Sequence, residues 1–338
     1  MITYPILAQG ATLGVTAPSS GARPTVHHLL HEADKRLTAK GYKVRFGETP
    51  WTQNKVRSAH SSVRAAEFQA MMQDKSIDVI IPPWGGELLI EMVEHIDFSS
   101  LPAKWIVGYS DVSLLLFTVT IKTGIATAHA MNFIDLRGET SDETTGMWES
   151  VLSTKTGGTV AQHSSQLYQK EWTHDNPSPH VFNLTEQTEW RTVSGNPVRA
   201  KGRLLGGCID IIRHVIGTPY GDVRHFQSHF IQNEPIVWYL ENCELNTADL
   251  RRSLVQMKLA GWFANCSAIL FGRNGVDSPF NGYTHEEVYA ELAEELDIPI
   301  VYDIDCGHVP PQMTFINGAY AEIEVQDGKG TVVQRFKG

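Results

Sequence analysis

The chain has 338 residues, 42% of them hydrophobic and 20% charged, with a formal net charge of -10. That length suggests two domains, each large enough to bury its own core. The acidic balance, with no Lys/Arg cluster, argues against a protein that grips a phosphate backbone, but it leaves room for a small nucleotide in a local pocket.

Residues 1 to about 135 alternate strand and helix in chain order. Thr12 to Ala17 reads as a strand ending in the turn Pro18-Ser19-Ser20-Gly21, and Pro24 to Lys40 as a helix with Leu29, Leu30, Ala33 and Leu37 at helical spacing, stopped by Gly41. Tyr42 to Phe46 is a second strand, Val63 to Gln73 a second helix, and Ile77 to Ile81 a third strand leading into Pro82-Pro83-Trp84-Gly85-Gly86. A helix from Glu87 to His95 follows, then the strand Trp105 to Tyr109 with its helix, then Ile125 to Ala130. Largely apolar strands separated by helices predict a flavodoxin-like parallel sheet covered on both faces, with the site at the carboxyl ends of its strands. From about 136 to 196 the periodicity fades. Pro177 and Pro179 interrupt a polar stretch in which Tyr168, Trp172, Phe182 and Trp190 recur, which favours an ordered functional loop over a linker.

A second, smaller α/β domain is expected from about Val198. Arg203-Leu204-Leu205-Gly206-Gly207 leads into a helix over Ile209 to Ile216, and Ile236 to Leu240 is a buried strand ending at Glu241. Leu250 to Gly261 is a helix and Ala268 to Phe271 a strand. Thr284-His285-Glu286-Glu287 is a capping box opening a helix to Leu296. Ile300 to Ile304 ends in Asp305-Cys306-Gly307-His308, and the tail reads as a hairpin of Ala319 to Val325 and Thr331 to Phe336 around Asp327-Gly328. The expected division is residues 1–165, an inter-domain substrate loop over 166–197, and residues 198–338.

The opening Met1-Ile2-Thr3-Tyr4-Pro5 does not read as a signal peptide, and runs such as Leu114-Leu115-Leu116-Phe117 are too short to span a bilayer. Cys208, Cys243, Cys266 and Cys306 form no C-x-x-C pair and read as reduced thiols. A soluble cytoplasmic protein is expected, with no membrane or nucleic-acid partner. His129, His174, His180, His225 and His285 lack paired ligand spacing, and Gly85-Gly86 and Gly206-Gly207 are too short for a phosphate-binding fingerprint, so neither metal nor cofactor is expected.

Ser110 stands where the pattern changes from a buried strand to Val112, Leu115, Leu116 and Val119 at helical spacing. Such an elbow lifts a hydroxyl out of the sheet near the positive end of a helix dipole, a good place for a nucleophile whose reaction develops an oxyanion. Val112 occupies the second Gly position of G-x-S-x-G, so an ordinary serine in a βα turn is the alternative. Glu241 and His308 likewise follow buried strands. A hydroxyl needs a base to take its proton, and the base needs a carboxylate to fix its tautomer. Glu244 is an equally acidic neighbour and His308 is one of fourteen histidines, so spacing alone leaves the choice open.

Five stretches in order, Pro82-Pro83-Trp84-Gly85-Gly86-Glu87, Gly108-Tyr109-Ser110-Asp111, Gly202-Arg203-Leu204-Leu205-Gly206-Gly207, Tyr239-Leu240-Glu241-Asn242 and Gly307-His308, resemble the LD-carboxypeptidase group of serine peptidases, and within it the microcin C immunity (MccF-like) branch. The resemblance spans essentially the whole chain. It implies Ser110 as nucleophile, His308 as general base and acid, Glu241 as the residue orienting His308, and the N–H groups of Gly86 and Asp111 as the oxyanion hole, with Gly85 at the substrate. In that branch a tryptophan on the inter-domain loop stacks on a nucleobase, a pattern that Glu189-Trp190-Arg191 before Gly195 resembles, and the partner would be an aminoacyl-nucleotide or short peptide. Asn242 departs from the acidic residue frequent in the family. The resemblance leaves a murein LD-carboxypeptidase and a non-catalytic small-ligand binder as alternatives, and a homodimer as the expected assembly.

Overall fold

The computed structural model describes residues 1–170, 181–276 and 278–338. The apolar runs of the N-terminal half pair in parallel because each needs cover on both faces. Lys43–Phe46, Thr12–Val15, Val79–Ile81, Trp105–Gly108 and Thr127–His129 lie side by side in that order, and Phe315–Asn317 closes the six-stranded sheet antiparallel to Thr127–His129. In chain order the five parallel strands run 2-1-3-4-5, the flavodoxin-like arrangement, whose topological switch point falls beside the first strand.

The second sheet has eight strands, ordered Thr159–His163, Lys329–Arg335, Tyr320–Gln326, Val198–Cys208, Ile236–Glu241, Cys266–Gly272, Ile300–Ile304 and Arg191–Thr192. Its centre is parallel, and the expected hairpin and two short strands extend it antiparallel. Asp327 and Gly328 both take positive φ, 52° and 75°, as a tight hairpin turn requires. The capping box of Thr284 and Glu287 forms as expected, with both reciprocal bonds present.

Val112–Thr123 packs against both sheets, against Thr127–His129 on one side and Val198–Cys208 on the other. Ten of its 12 residues are buried. A helix enclosed all round needs apolar residues all round, so the single apolar face read from the sequence understates it. Ser113 at its start ties the sheets together: its Oγ accepts the Cys208 N–H at 3.0 Å.

Two segments differ from expectation. Leu89–His95 is a 3-10 helix rather than an α-helix. Arg64 takes the Leu88 carbonyl at 2.9 Å and Asp111 takes the Leu89 N–H at 2.8 Å, so side chains use the backbone groups that would anchor a first α-turn. Within 136–196, helices Glu143–Gly146 and Trp148–Leu152 and the strand Thr159–His163 form where no period was visible. Strands also pair across the expected divisions at 165 and 197, Thr159–His163 with Lys329–Arg335 and Phe315–Asn317 with Thr127–His129. Trp172, His174, Pro177, Pro179 and His180 lie outside the described residues. Among the described residues no helix is long and apolar enough to cross a membrane.

Candidate active site

The strand Trp105–Gly108 is fully buried, and its chain must turn sharply to enter Val112–Thr123. Gly108 makes the first bend at φ 155°, where a β-carbon would lie 2.9 Å from both Asn132 Oδ1 and Val112 Cγ1. Ser110 makes the second at φ 64°, a left-handed conformation rare for a residue with a β-carbon. This strained turn projects the Ser110 hydroxyl into a cleft of about 550 Å³ lined by Ser20, Gly85, Gly86, Asn132 and His308. The cleft sits at the carboxyl ends of the first sheet, beside its switch point.

His308 arrives from the second sheet, past the end of Ile300–Ile304, and Glu241 is the last residue of Ile236–Glu241. His308 Nε2 lies 3.0 Å from Ser110 Oγ, and His308 Nδ1 lies 2.8 Å from Glu241 Oε2. The structure therefore brings Ser110, His308 and Glu241 into one hydrogen-bonded chain. Gly307, at φ 95°, has no side chain because a β-carbon would run into Glu241 Oε2. Glu244 is exposed, and its N–H is held by Asp210 Oδ1 at 2.8 Å, while Glu241 is wholly buried beneath the imidazole.

Burial by itself would lower the pKa of His308 and raise that of Glu241. Their mutual attraction and hydrogen bond outweigh it in both, so His308 is held well above the ordinary imidazole range and Glu241 below the ordinary carboxylate range. On the far side of Glu241, the buried His129 places Nε2 3.9 Å from Oε1. Burial pushes His129 down to about 4, so it is neutral at pH 7 and leaves the negative charge of Glu241 to His308.

Gly85, Gly86 and Asp111 flank the hydroxyl. A β-carbon at Gly85 would lie 2.6 Å from Ser110 Oγ and 3.1 Å from the Asp111 nitrogen, so the missing side chain keeps open the space between hydroxyl and amide. Gly86, at φ 140°, fits only without a side chain, because Ser19 and Ser20 close over it. The buried Asp111 carboxylate accepts from Ser19 Oγ and from Leu89 N–H, pinning two loops to the helix start, and burial raises its pKa to about 6.

Trp190 requires a correction. Its ring is 1% exposed, packed in the core of the second sheet with Val198, Val301 and Val325 and filling the space left by Gly330. Its Nε1 donates to Asp305 Oδ2 at 3.1 Å. Neither face is open to stack on a nucleobase; the ring braces Asp305, three residues before His308. The cleft is lined instead by the buried Tyr109 and the more exposed, half-buried Trp84, and Trp84 is joined there by Arg23 and Gln53. The sequence reading singled out none of these three as site residues. Trp84 had a signal in its Pro-Pro-Trp-Gly-Gly turn at a strand end; Arg23 and Gln53 had none.

A family model described as the LD-carboxypeptidase N-terminal domain matches residues 13–130, and one described as the LD-carboxypeptidase C-terminal domain matches residues 201–323. The chain is 26% identical to a carboxypeptidase-named protein of Vibrio cholerae, covering 96% of this chain and 95% of that one. It is 23% identical to the microcin C7 self-immunity protein MccF of Escherichia coli, over 98% of this chain and 95% of that one. It is also 23% identical to a Bacillus subtilis protein named as a murein peptide carboxypeptidase, over 95% and 91%. In structure it superposes on wild-type MccF with a TM-score of 0.83 at 21% identity over 100% of both chains, and on MccF in complex with aspartyl sulfamoyl adenosine with a TM-score of 0.82. With family models matching both halves, the chain belongs to the LD-carboxypeptidase family of peptidases.

Proposed function

We propose that this protein is a serine carboxypeptidase/amidase of the MccF type, hydrolysing the amide bond between a C-terminal acidic amino acid and a nucleotide through an acyl-enzyme on Ser110. The observation that carries this is the chain Ser110–His308–Glu241, with its 3.0 and 2.8 Å links, at the ends of strands from both sheets. His308 Nε2 takes the hydroxyl proton as Ser110 Oγ attacks the carbonyl, then gives it to the leaving nitrogen; water enters by the same route in reverse. Glu241 stays ionised, holding Nδ1–H and stabilising the imidazolium. The N–H groups of Gly86 and Asp111 receive the developing oxyanion beside the space that Gly85 leaves open.

Two cleft residues bear on substrate. Arg23 is the one Arg or Lys among the described residues lining the cleft, which suits a ligand with a free carboxylate. Trp84 offers the aromatic surface on which a base could stack. Detoxification of aminoacyl-nucleotides fits this pair and the likeness to MccF. The likeness to the murein peptide carboxypeptidase supports a second reading, release of a terminal D-amino acid from a murein tetrapeptide. Four free cysteines accord with a reducing, cytoplasmic setting, and a homodimer is part of the proposal.

The test is to quench reactions of the purified protein with an aspartyl-adenylate analogue and with a murein tetrapeptide, and to weigh the intact chain. An acyl mass increment that maps to Ser110 with the first substrate is the expected result. An increment with the tetrapeptide alone would replace the nucleotide reading, and turnover of either substrate by Ser110→Ala at the wild-type rate would end the serine mechanism.

A further inference from the structure

The register that delivers Glu241 to His308 also delivers a thiol. Cys208 and Glu241 are paired residues at the ends of neighbouring parallel strands, so their side chains share one face. One donor atom each from Cys208, Glu241 and His308 lies within 4.8 Å of the other two. Cys243, two residues beyond Glu241, has its N–H held by Asp210 Oδ2 at 2.9 Å. The Cys208 thiol meets the same Asp210 oxygen at 3.4 Å, which fixes both cysteines around one carboxylate. Glu241 Oε1 is buried in this cluster and accepts no hydrogen bond.

We propose that Cys208, Glu241 and His308, with Cys243 as a fourth donor, form a binding site for a thiophilic divalent cation of the zinc class, and that its occupancy switches the hydrolase off. The donor set is mixed sulfur, nitrogen and carboxylate oxygen, which suits a tetrahedral zinc-class ion rather than magnesium or calcium. Among the ligands, a thiolate on Cys208, the Glu241 carboxylate, a neutral imidazole, a neutral Cys243 thiol and a dication sum to zero charge, and the neighbouring Asp210 carboxylate adds one negative charge. Binding exchanges protons for the ion: from the imidazolium form, the Cys208 S–H proton and the His308 Nδ1 proton leave to solvent, Nε2 keeps its proton, and no electron moves. The ion then holds the nitrogen through which Glu241 orients His308, so the imidazole can no longer turn over a proton at Nε2. Partial exposure of His308 and Cys243 opens a route from the cleft. The switching claim rests on the hydrolase reading; the binding claim does not.

Cobalt(II) chloride titrated into the metal-free, full-length protein reads the site without any substrate. One equivalent should give a thiolate-to-cobalt charge-transfer band, bleached by zinc chloride. Cys208→Ser should abolish the band or weaken binding by about tenfold or more, and Cys243→Ser should weaken it less. Zinc should inhibit hydrolysis over the concentration range that displaces cobalt, and a chelator should restore it. Absence of the band, including cobalt bound only by the stacked surface pair His225 and His229 with no sulfur contribution, overturns the proposal. A band that survives in the double variant Cys208→Ser/Cys243→Ser overturns it equally. Should Cys208→Ser fail to fold by circular dichroism, the wild-type band and its change in Cys243→Ser decide. Full occupancy with unchanged turnover removes the switch. A band in a protein that hydrolyses neither substrate would sink the hydrolase reading and leave the ion site standing.

Discussion

Ser110 and its neighbours on the first sheet are held by backbone shape, whereas Glu241 and His308 on the second are held by charge. On the first side the determinants are a left-handed φ at Ser110 and glycines whose missing side chains clear 2.6–2.9 Å approaches. On the second side they are a carboxylate at 0% exposure, an imidazole above it, and opposed pKa shifts in the two. The hydroxyl side should therefore fail chiefly when volume is added, and the imidazole side, apart from the tight fit at Gly307, chiefly when charge is removed.

The largest effects come where the two sides meet. Ser110→Ala and His308→Ala should each lower kcat by about 10³-fold or more with native circular dichroism, because nucleophile and base act as one unit. The double variant should lose little further; additive losses in kcat would separate the two residues and break the comparison at its centre.

Charge comes next. Glu241→Gln keeps the shape and removes the carboxylate, and should lower kcat by about 10²-fold or more. The sign of the pH effect follows from His308, which must be neutral at Nε2 to take the proton. With Glu241 present its pKa is raised, so kcat/KM should climb as pH rises through a value above the ordinary 6.5. Without the carboxylate that acid limb should move to lower pH, while Glu244→Gln leaves it in place. An unmoved limb in Glu241→Gln would mean that charge does not set the second side.

Volume is the matching test on the first side. Gly85→Ala and Gly86→Val should each cut kcat by about 10²-fold, the scale of losing one oxyanion donor, with the acid limb of the pH profile unchanged. Full activity in Gly86→Val would remove its N–H from the site.

The smallest effect separates two tryptophans. Trp84→Ala should raise KM for an aminoacyl-sulfamoyl adenosine by about tenfold, the scale of lost base stacking, and leave acylation by a small activated ester nearly unchanged. Trp190→Ala should instead lower the melting temperature, through a core cavity costing about 3–5 kcal/mol, and impair both substrates alike. A selective KM effect at Trp190 would restore it to the substrate site.

Much of this arrangement is visible in the chain itself, for identifiable reasons. The Ser110 elbow shows because a strand period gives way to a helix period within five residues, and Ile300–Ile304 shows because it is short, β-branched and followed by polar residues. Thr159–His163 does not show, since an edge strand with one buried residue needs no alternation. Trp190 misleads for a related reason: in an aperiodic stretch nothing local says which way a ring faces. That is decided by the empty space at Gly330, supplied by the last hairpin. The contact of Cys208 with Glu241 was equally out of reach, because it depends on strand register, which single-residue patterns do not encode.

The return of Phe315–Asn317 to the first sheet has a bearing on what a truncated chain would expose. The two borders of the five-strand parallel set are unlike: Lys43–Phe46 carries two cations that discourage further pairing, whereas Thr127–His129 is uncharged and wholly enclosed by later parts of the chain. Among the described residues, that second border is covered only by Phe315–Asn317, a strand from far along the chain. Asn317 then locks it, bonding Gly206 N–H at 3.1 Å and Tyr239 hydroxyl at 2.7 Å across to the other sheet. The N-terminal sheet is thus completed by a strand from the C-terminal half. A fragment lacking Phe315–Asn317 would therefore present Thr127–His129 as an uncharged, unpaired border open to foreign strands.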